Sequence, residues 1–348
     1  MFSAKNAYYY LFAFSVVLFA SFFAKKVKSA FEDNDEYEMI KKYLLNDSPL
    51  YGYNKPKLWV HTKYEINSRK WKSFYSRNST DLNQPYIHLT IKTIINHCGN
   101  DFNICLIDDE TFSKLIPSWD INLRSVAEPM KSRIREIGLL KLVYYYGGMV
   151  VPNSFICLKN LKELYEEGCV NNSMFIGENI NHSLNLSKHS ERLVFTPSLY
   201  FFGAKKNNDT VKELAEYLKT RGQSPHFSNE IEFLGDTSQW CLNAVAENKM
   251  MLIGGEKLGV KTRDRKPILV DDLMEEDFLN VVKDIYGIYI PEDEILKRTK
   301  FQWFAVMSSE DILKTNLIVA KYLKASIVDS ASEYNTAVST HTRTVVAI

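Results

Sequence analysis

The chain has 348 residues and a formal charge of +1 at pH 7, enough length for one large domain or two small ones around a substantial core. The near-neutral balance excludes a global electrostatic attraction to nucleic acid, and 20 Tyr with 20 Phe exclude a wholly disordered polymer. The five cysteines are odd in number and form no Cys-x-x-Cys pair, which argues against a zinc site and excludes a complete disulfide framework. Cys105 and Cys157 lie inside apolar runs and read as small buried hydrophobes.

Taken in chain order, the first feature is "AYYYLFAFSVVLFASFFA", residues 7–24, uncharged throughout. As a helix it would span about 27 Å, close to a bilayer's hydrocarbon thickness. Lys25, Lys26 and Lys28 follow, with no clean small-x-small cleavage site, so residues 1–29 are expected to be an uncleaved membrane anchor. The lysines favour a cytoplasmic carboxyl side. Six Asn-x-Ser/Thr sequons, at Asn46, Asn78, Asn171, Asn181, Asn185 and Asn208, lean the other way. The side of the membrane stays open. Residues 30–56 are acidic and then turn-rich, as in a stem.

A domain over 57–328 is expected next. "KLWVHT" (57–62) reads as a first strand, "PYIHLTIKTIINHCG" (85–99) as a helix, and "FNICLIDD" (102–109) as a buried strand ending on two acids. "ETFSKLI" and residues 129–146 suit helices, and "GGMVV" turns the second of these into another buried strand. Helices at 158–168, 208–222 and 318–326 and strands at 174–179 and 193–204 complete the pattern. Residues 329–348 lack apolar periodicity and are expected to be disordered. Alternating strands and helices predict an α/β fold with a largely parallel sheet, whose ligands bind beyond the carboxyl ends of the strands. Asp108, Asp109 and the stretch Pro152–Ser154 all fall at such ends.

With "KLWVHT", "FNICLIDDETF", "LLKLVYYYGGMVV" and "LKNL" in hand, residues 57–161 resemble the glycosyltransferases of family 32, which carry a DXD sugar-binding region. The "GGMVVPNSF" turn is also similar to uncharacterised anchored proteins of large DNA viruses. The resemblance implies a GT-A-like, Rossmann-type transferase domain behind the transmembrane helix. It also implies a nucleotide-sugar donor with a glycan or protein acceptor, and an endoplasmic reticulum, Golgi or viral membrane. His61 would then pass the nucleotide base, and Gly147 and Gly148 would form the turn.

The chain departs from that family where its chemistry sits. The helix Asp and Arg that touch the donor correspond to Glu136 and Leu139, and the two metal-facing acids to Pro152 and Ser154. A leaving nucleoside diphosphate is commonly neutralised by Mg²⁺ or Mn²⁺ held on carboxylates. Proline supplies no ligand, Ser154 a weak neutral one and Asn153 one carbonyl oxygen. No metal is therefore expected at the turn, unless Asp108 and Asp109 substitute as ligands for Mn²⁺ or Mg²⁺. Their alternative reading is a strand-end turn that starts the next helix. Glu136 is either a ribose contact or an ion-pair partner of Arg133 and Arg135, and Lys205 with Lys206 either meets a diphosphate or is a solvated loop. The resulting expectation is a membrane-anchored glycosyltransferase-like protein with a degenerate metal site. An inactive binding or structural protein on the same fold is the alternative.

Overall fold

The computed structural model describes residues 55–62, 84–180, 195–222 and 230–327, all within one compact unit, Pro49–Ile348. The expected anchor, nearly all of the stem, the tail and the sequons at Asn46, Asn78, Asn181 and Asn185 lie outside the described residues. Among the described residues no helix is long and apolar enough to cross a membrane.

A six-stranded sheet in the order β2-β1-β3-β6-β5-β7 organises the domain. Its strands are β1 (Lys57–His61), β2 (Asn103–Ile107), β3 (Gly148–Val150), β5 (Met174–Ile180), β6 (Phe195–Ala204) and β7 (Met250–Ile253). β1 runs parallel to both β2 and β3, and β5 runs parallel to β7. β6 is antiparallel to both of its neighbours. The expected mixed α/β, parallel-rich sheet is present, with β6 as the reversal in its middle. A small antiparallel pair, β4 (Phe155–Cys157) with β8 (Gly287–Tyr289), stands beside it.

Six helices bear on the sheet: α1 (Tyr86–Cys98), α2 (Thr111–Leu115), α3 (Met130–Tyr146), α4 (Lys162–Gly168), α5 (Asp209–Gly222) and α6 (Glu230–Ala246). Strand side chains alternate between faces. Trp59, Ile107, Val150, Ile176 and Phe202 pack with Leu140, Val143, Leu214 and Cys241 of α3, α5 and α6. On the other face Phe201 meets Phe155 of β4 and Phe175, which in turn meets Tyr165 of α4. A second core joins Tyr86 and Leu89 of α1 to Ile156, Ile288, Phe304 and the helix over 318–327. The five cysteines are all buried thiols.

The sequence marks no element between residues 223 and 300, yet α6, β7, β8 and two short helices, Val270–Leu273 and Glu292–Lys297, all form there. α6 dilutes its apolar pattern with Gly235, Asp236, Thr237 and Ser238, and β8 is only three residues long. Neither produces a readable period. The sequon at Asn208 has a local cause: the Asn208 side chain accepts a 3.0 Å hydrogen bond from the Val211 amide, starting α5, and donates to the Asn172 carbonyl. Buried and bonded at both ends, it offers no amide to a glycan. Asn171 is exposed.

The double glycine that closes α3 is required by sterics. Gly147 and Gly148 have φ of 70° and 102°, backbone that side chains rarely adopt. A Cβ on Gly148 would stand 2.1 Å from the Lys57 carbonyl oxygen, inside the β1–β3 pairing. The Trp59 indole donates to the Gly147 carbonyl at 3.0 Å, fixing the turn from the sheet side. The fold therefore requires both glycines. Gly148→Ala is expected to destabilise the domain by about 3 kcal/mol, read as a lower urea midpoint with an unchanged slope.

Candidate functional site

Because β1, β2 and β3 are parallel, their carboxyl ends share one edge of the sheet. α3 leads directly into β3, so its amino-terminal half lies over that same edge. The residues brought together there are His61 and Thr62 after β1, Asp108 and Asp109 after β2, Pro152–Ser154 after β3, and Arg135 and Glu136 from α3.

The two acids after β2 are already engaged. One Asp108 carboxylate oxygen accepts from the amides of Glu110 and Thr111 and from the Thr111 hydroxyl, at 3.1, 2.9 and 2.6 Å. It starts α2, as the strand-end-turn reading expects. Asp109 is gripped by the Arg135 guanidinium in a bidentate pair, 2.8 Å on each arm, and meets His61 Nε2 at 3.0 Å. His61 is in turn stacked on Phe112, ring centres 5.6 Å apart. Arg135 also reaches Glu128 at 3.2 Å. Burial alone would raise the Asp109 pKa, but the hydrogen bonds and charges of His61 and Arg135 outweigh it and hold the carboxyl well below the usual range.

The turn after β3 is closed as well. Ser154 is fully buried and Asn153 is 5 % exposed. Neither is presented to solvent as a donor-binding residue would be. The Asn153 carbonyl accepts from the Thr90 hydroxyl and the Ser154 carbonyl from the Ile290 amide. The chemistry of this donor set does not fit a divalent cation. Pro152 has no side-chain donor atom, Ser154 is sealed, one Asp108 oxygen is spent on two backbone amides and the Thr111 hydroxyl, and both Asp109 oxygens are spent on Arg135 and His61.

Lys205 and Lys206 fall at the opposite edge of the sheet. Ala204 pairs with Gly148 at the start of β3, and the Lys206 backbone abuts Gly147. They are exposed, and the solvated-loop reading holds. Leu139 is in the core at 9 % exposure.

Glu136 is the site residue with an open environment. It does not pair with Arg135, which is committed to Asp109 and Glu128. Instead it lines a cavity of about 480 Å³, within the range of small-molecule sites. The walls come from α3, the β5 end and β6 start (Asn179, Ser198), α6 (Thr237, Ser238), and the chain from β8 onward (Tyr289, Asp293). β6 runs antiparallel to β3 with Phe202 opposite Val150, so Ser198 and Leu199 lie toward the carboxyl-end edge. Tyr289 pairs with Phe155, next to the Pro152–Ser154 turn. Glu136 is half-buried. The surrounding protein still desolvates the carboxyl and pushes it up to about 7, against the opposing pull of Arg133. Arg135 and the cavity's α6 and β8 walls are the parts that sequence reasoning missed. An arginine at a site facing the apolar half of a helix was the available signal for the first; the others carried none.

No protein-family model matches the chain, and no curated protein matches it. Among solved structures it is similar to one titled "PaToxG Glycosyltransferase", with 14 % identity and a TM-score of 0.30, over 61 % of this chain and 79 % of that one. So loose a likeness leaves the site itself to carry any function.

Two substitutions probe these environments. Asp109→Asn leaves the Arg135 guanidinium, 10 % exposed, without its main counter-charge and is expected to cost about 3 kcal/mol of stability at neutral pH. The Asp109 contribution is present above the ordinary carboxylate range and is lost as pH falls toward the depressed folded value. The gap between wild type and variant should therefore narrow in acid urea titrations. Glu136 has the opposite sign. Its folded pKa is raised, so the unfolded chain ionises first, and the penalty grows between the ordinary value of 4.5 and about 7. Glu136→Gln should therefore be more stable relative to wild type at pH 8 than at pH 4.5, measured by thermal melts at both.

Proposed function

We propose that the chain is a sugar-binding protein on a glycosyltransferase-like scaffold. Its site at the carboxyl edge of the sheet works without a divalent metal. The observation that carries this reading is the cavity at that edge, which has Glu136 on one wall and adjoins a turn without metal ligands. The resemblance of residues 57–161 to family 32 supplies the sugar; the engaged acids supply the independence from metal. In this reading residues 7–24 anchor the domain to a membrane.

An active transferase is the second reading. It requires a leaving diphosphate to be neutralised. Of the groups that could do so, Lys205 and Lys206 are at the far edge, Arg135 is paired with Asp109 through both carboxylate oxygens, and one Asp108 oxygen is taken by the start of the next helix. The binding reading is therefore the stronger.

Calorimetric titration of the full chain with UDP-glucose, with GDP-mannose and with the free diphosphates, each with Mn²⁺ and with EDTA, tests the metal independence. The expected result is that Mn²⁺ leaves every isotherm unchanged. Nucleotide binding that appears only with Mn²⁺ and vanishes in Asp108→Asn or Asp109→Asn would overturn it.

A further inference from the structure

The chemistry of the cavity narrows the class of ligand. Resting on the sugar-binding reading, we propose that it holds the neutral hydroxyl-rich part of a saccharide, gripped by Glu136, Ser198 and Tyr289, and rejects the diphosphate of a nucleotide.

The cavity's charges disfavour an anion. Asp293 and Glu294 line the cavity along with Glu136. Of the two cations that line it, Arg298 is bound bidentately to Asp271 at 2.6 and 3.1 Å, with Glu294 at 3.8 Å on its other side. Lys297 is exposed and flexible in type. The local field is visible in Tyr289: after burial, Glu292, Asp293 and Glu294 are what push its phenol well above the ordinary range. A phosphate entering the cavity would meet the same repulsion with no guanidinium fork open to it.

The neutral groups are those that recognise hydroxyls. Thr196 and Ser238 bond to one another at 3.3 Å and line one side. Tyr289 packs at a tilt against Tyr200, ring centres 4.7 Å apart and planes 49° from parallel. The Tyr200 hydroxyl is spent on the Glu178 carbonyl at 2.9 Å, leaving Tyr289 as the phenol that lines the cavity. A carboxyl held near 7 both donates and accepts at neutral pH, as a sugar hydroxyl pair requires. Pro197, Leu199, Leu269 and Pro291 supply the apolar surface on which the C–H face of a pyranose can lie. None of these groups is shared with the lock around Asp109, so the cavity can bind while that lock stays shut.

The test uses the full chain on a broad glycan array, followed by ligand-observed NMR with the retained saccharides as methyl glycosides and with inorganic pyrophosphate as the anionic probe. The expected result is saccharide binding that is indifferent to EDTA. It should weaken about tenfold when Tyr289→Phe or Glu136→Ala removes one hydrogen bond, and pyrophosphate should give no signal. Unchanged melting curves for Tyr289→Phe and Ser198→Ala separate loss of contact from loss of fold. Retention of no glycan, or pyrophosphate binding that Tyr289→Phe alters, overturns the proposal. Binding of a nucleotide sugar without its free saccharide overturns it too, yet leaves the metal-free reading standing. Mn²⁺-dependent nucleotide binding would instead sink that reading itself.

Discussion

The bidentate pair between Arg135 and Asp109 governs the carboxyl edge of the sheet. It ties the first turns of α3 to the end of β2 and, through His61, to the end of β1. With the arginine side chain 10 % exposed and the aspartate 25 %, neither charge is fully sealed, so the desolvation cost is moderate while both guanidinium arms are used. Three elements distant in sequence are held in one geometry by two groups. The same pair removes from circulation the carboxylate best placed to hold a metal and the guanidinium best placed to hold a phosphate. One interaction thus both holds this edge together and occupies its charged groups.

That pairing also orients the rest of α3. With residue 135 turned toward β2, its neighbour at 136 is rotated by about 100° around the helix and lines the cavity bounded by β6 and α6. An acid that looked in the sequence like a partner of Arg135 is separated from it by helical geometry alone. Adjacent positions on a helix do not face each other. What remains to Glu136 is a cavity wall where burial raises its carboxyl against the pull of Arg133.

Strand ends and the Gly147–Gly148 turn were legible in the sequence, because buried parallel strands are continuous apolar runs and positive φ demands glycine. The placement of Asp108, Asp109 and Pro152–Ser154 at one edge followed from alternation of strands and helices. Which acid Arg135 would choose was not legible, since Asp109 lies 26 residues away and the choice is made by tertiary approach. The cavity was less legible still. Its walls come from α6, with polar residues inside its helical pattern, and from β8, three residues long, whose pairing with β4 spans over a hundred positions. Local periodicity says nothing about such contacts.

The turn after β3 is built into the packing around it. Its carbonyls are bonded to α1 through Thr90 and to the chain after β8 through Ile290, and Phe155 that follows is packed on Phe201. Position 154 is without exposure, and the Ser154 hydroxyl finds no hydrogen-bond partner among the described residues. A carboxylate at that position would be a buried charge with neither water nor a counter-ion, at a cost of several kcal/mol. An aspartate at position 154 would therefore unseat the packing before it built a metal site. The surroundings have closed over the turn, and the open volume of this edge lies beside it, against Glu136 and Tyr289. A ligand that suits the present molecule is one that the second environment can solvate.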